Sequence, residues 1–245
     1  MSNKRMSVIE HLNELRRRLM IVVFGFIVTF IIGLLAAKPV IIYLQHSEQA
    51  QDITMNAFRV TDPLNVYMEF AFIIGAVLVS PLVMYQLWAF VSPGLYEHER
   101  KVTLSYIPIA LILFLLGLAF SYYILFPFVV GFMGHLSKEM HIQNVIGINE
   151  YFSFLLQLTL PFGFLFEMPI LVMFLTRLGI ITPPFLIKIR KYAYFILLVI
   201  AGIITPPELV SHLMVTVPLI ILYEISIGIS KLAYKQSLKR LSHDM

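Results

Sequence analysis

The sequence predicts an all-α, polytopic membrane protein with six transmembrane helices, and three observations carry that reading. Hydrophobic residues make up 59% of the 245-residue chain and charged ones only 13%, with a mean hydropathy of +0.87, which is too apolar for an ordinary soluble domain. The apolar residues gather in windows approaching or exceeding the ~20 residues that cross roughly 30 Å of hydrocarbon. Lysine and arginine are distributed unevenly between those windows, as they are in proteins whose loops alternate sides of a bilayer.

The first element is the stretch "SVIEHLNELRRRL". Ser7 and Glu10 form a capping box, and Val8, Ile9, Leu12, Leu15 and Leu19 recur at helical spacing. Residues 1–18 are therefore expected to form an amphipathic helix on the cytoplasmic surface that runs directly into span one. Spans one to four are expected at 19–37, 66–90, 102–133 and 151–178. Span five, at 192–204, has 13 residues, about 20 Å of helix, and is shorter than the hydrocarbon is thick. Span six, at 209–229, is interrupted by His212, Pro218 and Glu224. The last two spans are either a short crossing pair that locally thins the bilayer or a re-entrant pair; both return the tail, 231–245, to the cytoplasm. The loops are too short to fold alone, so 1–245 is expected to be a single membrane domain without internal repeats.

The segments before span one, between two and three, between four and five and after six, counted with Arg177 at the end of span four, hold 15 of the 18 Lys and Arg residues, so both termini are expected to be cytoplasmic. The net charge of +4 is then a topology signal; no aromatic-interleaved basic surface points to nucleic acid. The first apolar run is long enough to span and reads as an anchor in preference to a cleaved signal peptide. The chain has no cysteine, which removes disulfides, thiolate nucleophiles and Cys-based metal sites.

Three carboxylates stand out. Glu14 lies close to the headgroup layer one turn before Arg18, and periodicity alone favours an exposed pair worth a few tenths of a kcal/mol. Glu99, in "SPGLYEHERK" after span two, reads in isolation as a solvated loop charge balanced by Arg100 and Lys101. Its neighbourhood "HERKV" matches half of HExxH, but Val102 stands where the second ligand belongs, so no zinc site is expected. Glu167, in "LPFGFLFEMPI", sits inside the fourth span among Pro161, Gly163 and Pro169. A carboxylate at that depth costs about 2.5 to 3.5 kcal/mol on insertion scales and calls for a cavity or a partner; the structural alternative is a protonated carboxyl bonded to carbonyls that the prolines release. Glu69 and Glu224 lie nearer span ends, where they reach toward water.

Taken together, "HLNELRRRL", "SPGLYEHERK", "PFGFLFEMPI" and "TPPELVSHLMVTVPLIILYE" resemble TatC, the multi-spanning subunit of the twin-arginine protein translocase, over nearly the whole chain. The resemblance implies a bowl-shaped receptor in the bacterial inner membrane. Such a receptor binds twin-arginine signal peptides of folded precursors at its cytoplasmic face and nucleates an export complex driven by the proton-motive force. It implies that Glu14 and Glu99 receive the two arginines, that Glu167 is an intramembrane polar site, and that no cofactor or metal is needed. The implied partners are the single-span proteins TatA and TatB, lipid, and further copies of the chain. Thr205, Glu208 and His212 resemble the docking patch for the small subunits, although the family often has Asp and Gln at the last two positions.

A guanidinium presents a planar fork of donors to a carboxylate, which is why two carboxylates at the interface suit two arginines better than two lysines. There is no GxxxxGK phosphate loop, and no enzyme activity is expected. The alternative from another class is a proton-coupled secondary transporter using Glu167 as its relay, but the chain lacks the paired, similarly broken helices of such proteins. An intramembrane protease would need a nucleophile or a second carboxylate at the depth of Glu167.

Overall fold

The computed structural model describes residues 8–50, 53–91, 104, 106–143, 145–205 and 209–241, with side chains from 12 to 90 and as far as 236 within those ranges. It comprises two compact units, Met1–Pro108 with Gly147–Asn149, and Ile109–Ile146 with Glu150–Met245.

The first unit is a helical hairpin. Helix α1 (Val8–Gln45) runs uninterrupted for 38 residues, about 57 Å, roughly twice the hydrocarbon thickness. Leu12, Leu19, Phe24 and Leu35 leave most of their surface exposed, which is the expected outcome for side chains whose solvent is lipid. A short connection containing strand β1 (Met55–Asn56) leads to α2 (Asp62–Val91). β1 pairs with β2 (Ile146–Gly147) in the one sheet among the described residues. The start of α2 is fixed by Asp62, which is buried and accepts hydrogen bonds through Oδ2 from the backbone N–H groups of Phe58, at 3.0 Å, and Arg59, at 2.8 Å. Pro63 follows with its φ already helical.

Lipid tails are as apolar as leucine, so helices in a bilayer associate by close packing and small residues rather than by hydrophobic burial. α1 and α2 follow that rule. A Cβ added at Gly33 would run into the Ala71 carbonyl oxygen and stand 3.2 Å from the Gly75 nitrogen, while one added at Gly75 would lie 2.9 Å from the Cα of Phe30. The two backbones touch there. The Tyr67 hydroxyl donates to the Leu34 carbonyl, next to the Leu35 carbonyl that Pro39 leaves without its helical donor.

In the second unit, α3 (Tyr106–Phe120), which enters it at Ile109, passes through one π-helical turn at Ser121–Leu125 into α4 (Phe126–Glu139). Pro127, unable to donate to the carbonyl four residues back, sits just beyond the turn. Helix α5 (Ile148–Leu165) crosses α3 at Gly117 and Gly163: a Cβ on Gly117 would strike the Phe162 carbonyl oxygen and lie 3.0 Å from the Gly163 Cα. The Ser121 hydroxyl donates to the Leu158 carbonyl across this contact, at 3.3 Å. Helix α6 (Met168–Arg177) follows α5 after a two-residue turn and ends in a Schellman motif, with Gly179 at φ +72°, the Ile180 N–H on the Leu175 carbonyl and the Gly179 N–H on the Thr176 carbonyl, both at 3.1 Å. Short α7 (Pro183–Lys188), α8 (Arg190–Ile204) and α9 (Leu209–Leu241) complete the unit. α9 packs along α6 and also meets α8 and α7.

Five helical stretches among the described residues are long and apolar enough to cross a bilayer: Leu12–Gln45, Asp62–Phe90, Tyr106–Glu139, Ile148–Arg177 and Leu209–Gln236. The fifth window of the sequence, 192–204, lies in α8, whose 15 residues reach only about 22 Å. The third stretch ends, and the fourth begins, a few residues beyond the sequence-based bounds because polar residues such as Lys138, Glu139 and Glu150 extend the helices past their apolar windows.

Candidate functional site

The register of α1 places Glu14 one turn before Arg18, as the i, i+4 spacing requires. The pair forms, but it is more enclosed than an exposed helix pair: the two side chains retain 21% and 23% of their exposure. Arg18 donates from Nε at 3.1 Å and from Nη2 at 2.5 Å, both to Glu14 Oε1. Its Nη1 reaches across to α2 and donates to Gln86 Oε1 at 3.2 Å. Gln86 is buried, and its one signal in the sequence is an amide standing in the apolar run "MYQLWAF", which periodicity and motif do not mark as a site. Among the described residues Glu14 Oε2 is buried without a hydrogen-bond partner. Glu99 and Glu208 lie outside the described residues.

Glu167 sits where the fourth membrane stretch breaks. α5 stops at Leu165 and α6 starts at Met168, with Pro169 in its first turn, and the Glu167 N–H bonds the Phe164 carbonyl at 3.1 Å in a tightened turn. The side chain is buried to 8% exposure and its Oε1 has no partner among the described residues. Thr159, two turns earlier on α5, also has a buried hydroxyl without a partner among the described residues. An acyl oxygen kept from both water and donors costs about 1 to 3 kcal/mol, so this position is held against its own solvation preference.

The α8 and α9 hairpin carries a third polar cluster. The Tyr194 hydroxyl donates to Glu224 Oε1 at 2.5 Å and Arg190 Nη2 donates to Oε2 at 2.6 Å. Sequence spacing alone could not pair residues 30 and 34 positions apart. Both charged side chains are more than a third exposed, which places this clamp at the low end for charge-assisted bonds, and Tyr194→Phe is expected to cost about 1.5 kcal/mol, a few degrees in the thermal midpoint of the purified protein. An unchanged midpoint would show that the hydroxyl contributes nothing. Thr205 is buried with its hydroxyl turned back onto the Ala201 carbonyl, at 2.8 Å. The His212 ring lies over Gly202, whose added Cβ would come within 3.0 Å of its Cε1. Thr205 and His212 therefore stand at the same end of the hairpin, while Glu14 belongs to the other unit. Among the described residues no group of three His, Cys, Asp or Glu side chains gathers to hold a metal ion.

These placements can be set beside known proteins. Residues 10–218 match the family described as Sec-independent protein translocase protein (TatC). The chain is 66% identical over 244 residues to the Sec-independent protein translocase protein TatCy of Bacillus subtilis (strain 168), covering 100% of this chain and 96% of the relative. It is 58% identical over 246 residues to TatC of Halalkalibacterium halodurans, covering 100% and 97%. A crystal structure described as the twin-arginine translocase receptor TatC superposes with a TM-score of 0.78 at 34% identity, covering 91% of this chain and 99% of that one. A second, in DDM, gives 0.80 at 33%, covering 90% and 99%.

Proposed function

We infer the function from one premise: this chain belongs to the TatC family. It is a multi-pass membrane subunit of the twin-arginine protein translocase, a transport component. Beyond that, we propose that it is the receptor of the system, binding twin-arginine signal peptides of folded precursors at the cytoplasmic face. The observation that carries this reading is Glu14. Its carboxylate stands near the head of α1, half-enclosed and with Oε2 lacking a donor, immediately before side chains that expose their apolar surface. A peptide with two arginines ahead of an apolar run matches that order, charge first and grease second. Glu99 is the second carboxylate of the site, and together the two read the arginine pair.

The proposed topology has six spans, with α8 as a short crossing, both termini in the cytoplasm and the chain in the bacterial inner membrane as a single functional domain; the placement of 15 of the 18 basic residues supports it. Glu167 is the intramembrane polar site, supported by its burial at a helix break. The α8 and α9 hairpin around Thr205, Glu208 and His212 docks the single-span partners TatA and TatB. No cofactor takes part, and export draws on the proton-motive force.

The test is binding of a labelled twin-arginine peptide with its apolar run to the purified protein, beside a twin-lysine peptide. Wild type is expected to prefer arginine by about tenfold or more, the equivalent of one charge-assisted hydrogen bond, and Glu14→Gln or Glu99→Gln to erase the preference. Equal binding of both peptides, unaltered by either substitution, removes the receptor assignment.

A further inference from the structure

The Glu14 and Arg18 pair is lopsided. An unconstrained guanidinium meets a carboxylate fork to fork, one donor to each oxygen. Here Nε and Nη2 converge on Oε1 alone, and Oε2 is left buried without a partner. What holds the guanidinium in this attitude lies on the other helix: Nη1 is tied to Gln86 Oε1 at 3.2 Å, and Gln86 retains only 9% exposure, so its amide has little freedom to follow a moving arginine.

The geometry points to Arg18 and Gln86 as positioning residues for the receptor site. Gln86 anchors Arg18, Arg18 grips Glu14 by Oε1, and Oε2 is thereby kept in a fixed direction for the guanidinium of a signal-peptide arginine. This rests on the receptor reading given above and goes beyond it by assigning the choice of arginine over lysine in part to two residues that the peptide need not touch. The chemistry behind the assignment is directional. A guanidinium places its donors in a rigid plane and profits from an acceptor whose direction is fixed, whereas an ammonium rotates its three donors to suit any acceptor and profits little. A carboxylate released from Arg18 would still attract both cations but would distinguish them less. The opposite arrangement, in which Arg18 simply competes with the peptide for Glu14, makes the opposite prediction, because loosening Arg18 would then strengthen binding.

The test uses the full-length protein in detergent, the same twin-arginine and twin-lysine peptides, and the variants Gln86→Leu, Gln86→Glu, Arg18→Lys and Glu14→Gln. Gln86→Leu is expected to raise the Kd of the arginine peptide about tenfold, the equivalent of one lost charge-assisted hydrogen bond, while the lysine peptide moves by less than about twofold. Gln86→Glu keeps an acceptor for Nη1 and is expected to keep the arginine-to-lysine ratio of wild type, whatever the added charge does to both affinities together. A ratio unchanged in Gln86→Leu but lost in Glu14→Gln overturns the positioning role and leaves the receptor reading standing. A ratio unchanged in Glu14→Gln removes both. Tighter arginine binding in Gln86→Leu identifies Arg18 as a competitor and also overturns the proposal. If Gln86→Leu does not fold, Arg18→Lys decides alone: an ammonium cannot bridge Glu14 and Gln86 with the same plane, so the ratio falls if the proposal holds and stays if it does not.

Discussion

Gly33→Leu is expected to break the first unit apart. The obstacle to any side chain at this position is backbone, the Ala71 carbonyl and the Gly75 nitrogen, and neither can rotate away as the tip of a flexible side chain could. α1 and α2 must separate, and separation forfeits the contacts that bind them, including the Tyr67 hydroxyl on the Leu34 carbonyl, the edge-on contact of Phe26 with Phe72 and the Arg18 bond to Gln86. Ordinary overpacking of a core costs about 1 to 3 kcal/mol, and a backbone collision lies at or beyond the top of that range. The expected result is a protein that melts at least ten degrees lower than wild type in detergent or fails to accumulate in the membrane. Gly131 and Gly134 provide the control, since a Cβ at either meets nothing within 4 Å, and leucine there should leave the midpoint close to wild type. A Gly33→Leu protein that melts with the control would mean that the helices are not held by this close approach.

Glu167→Leu is expected to separate stability from function. The wild-type side chain keeps a buried carboxyl oxygen without a partner, and an apolar side chain of comparable size should relieve about 1 to 3 kcal/mol of desolvation cost. Thermal stability should therefore rise. On the reading proposed above, export of a twin-arginine precursor should fall by at least about tenfold, the factor that 1.4 kcal/mol supplies, with Glu167→Gln in between. A destabilised leucine variant would show that the carboxyl is satisfied in the membrane; full export would show that the site has no part in transport. Removal of a functional polar group that stabilises the scaffold is a recurrent trade in proteins whose sites are held under strain.

Much of this architecture could be read from local chemistry. The i, i+4 spacing of Glu14 and Arg18 is legible because both lie on one helix, and Pro161 and Pro169 by themselves mark a disturbed span around Glu167. The shortness of span five followed from counting its apolar residues. What stayed hidden depends on the register between helices. Gln86 meets Arg18 only because Gly33, Ala71 and Gly75 fix how far α1 slides along α2, and no property of Gln86 itself announces that alignment. Likewise Glu224 keeps more than a third of its side chain exposed, as its place near a span end implies, but nothing in its spacing announces that the hairpin brings Arg190 and Tyr194 to it. The break at Glu167 was placed only roughly, since proline disturbs a helix over several residues and tertiary packing decides where the turn tightens.

The π turn at Ser121–Leu125 gives the second unit a kind of vernier. Along α3 the buried positions are Tyr106, Ala110, Phe114 and Gly117, a pattern close to the pitch of an α-helix; from Ser121 in the turn they continue at Leu125, Phe126 and Val129, with Leu125 and Val129 each a full four residues further on. A uniform α-helix would let positions four apart drift around its axis, by about 40° at each step, until the last of them faced outward. The wider turn absorbs the surplus and brings the face back into phase. One residue more or less at this point would turn all of α4 by about 100° relative to α3, so the chain length here is fixed by phase, in a way that the length of a surface loop is not.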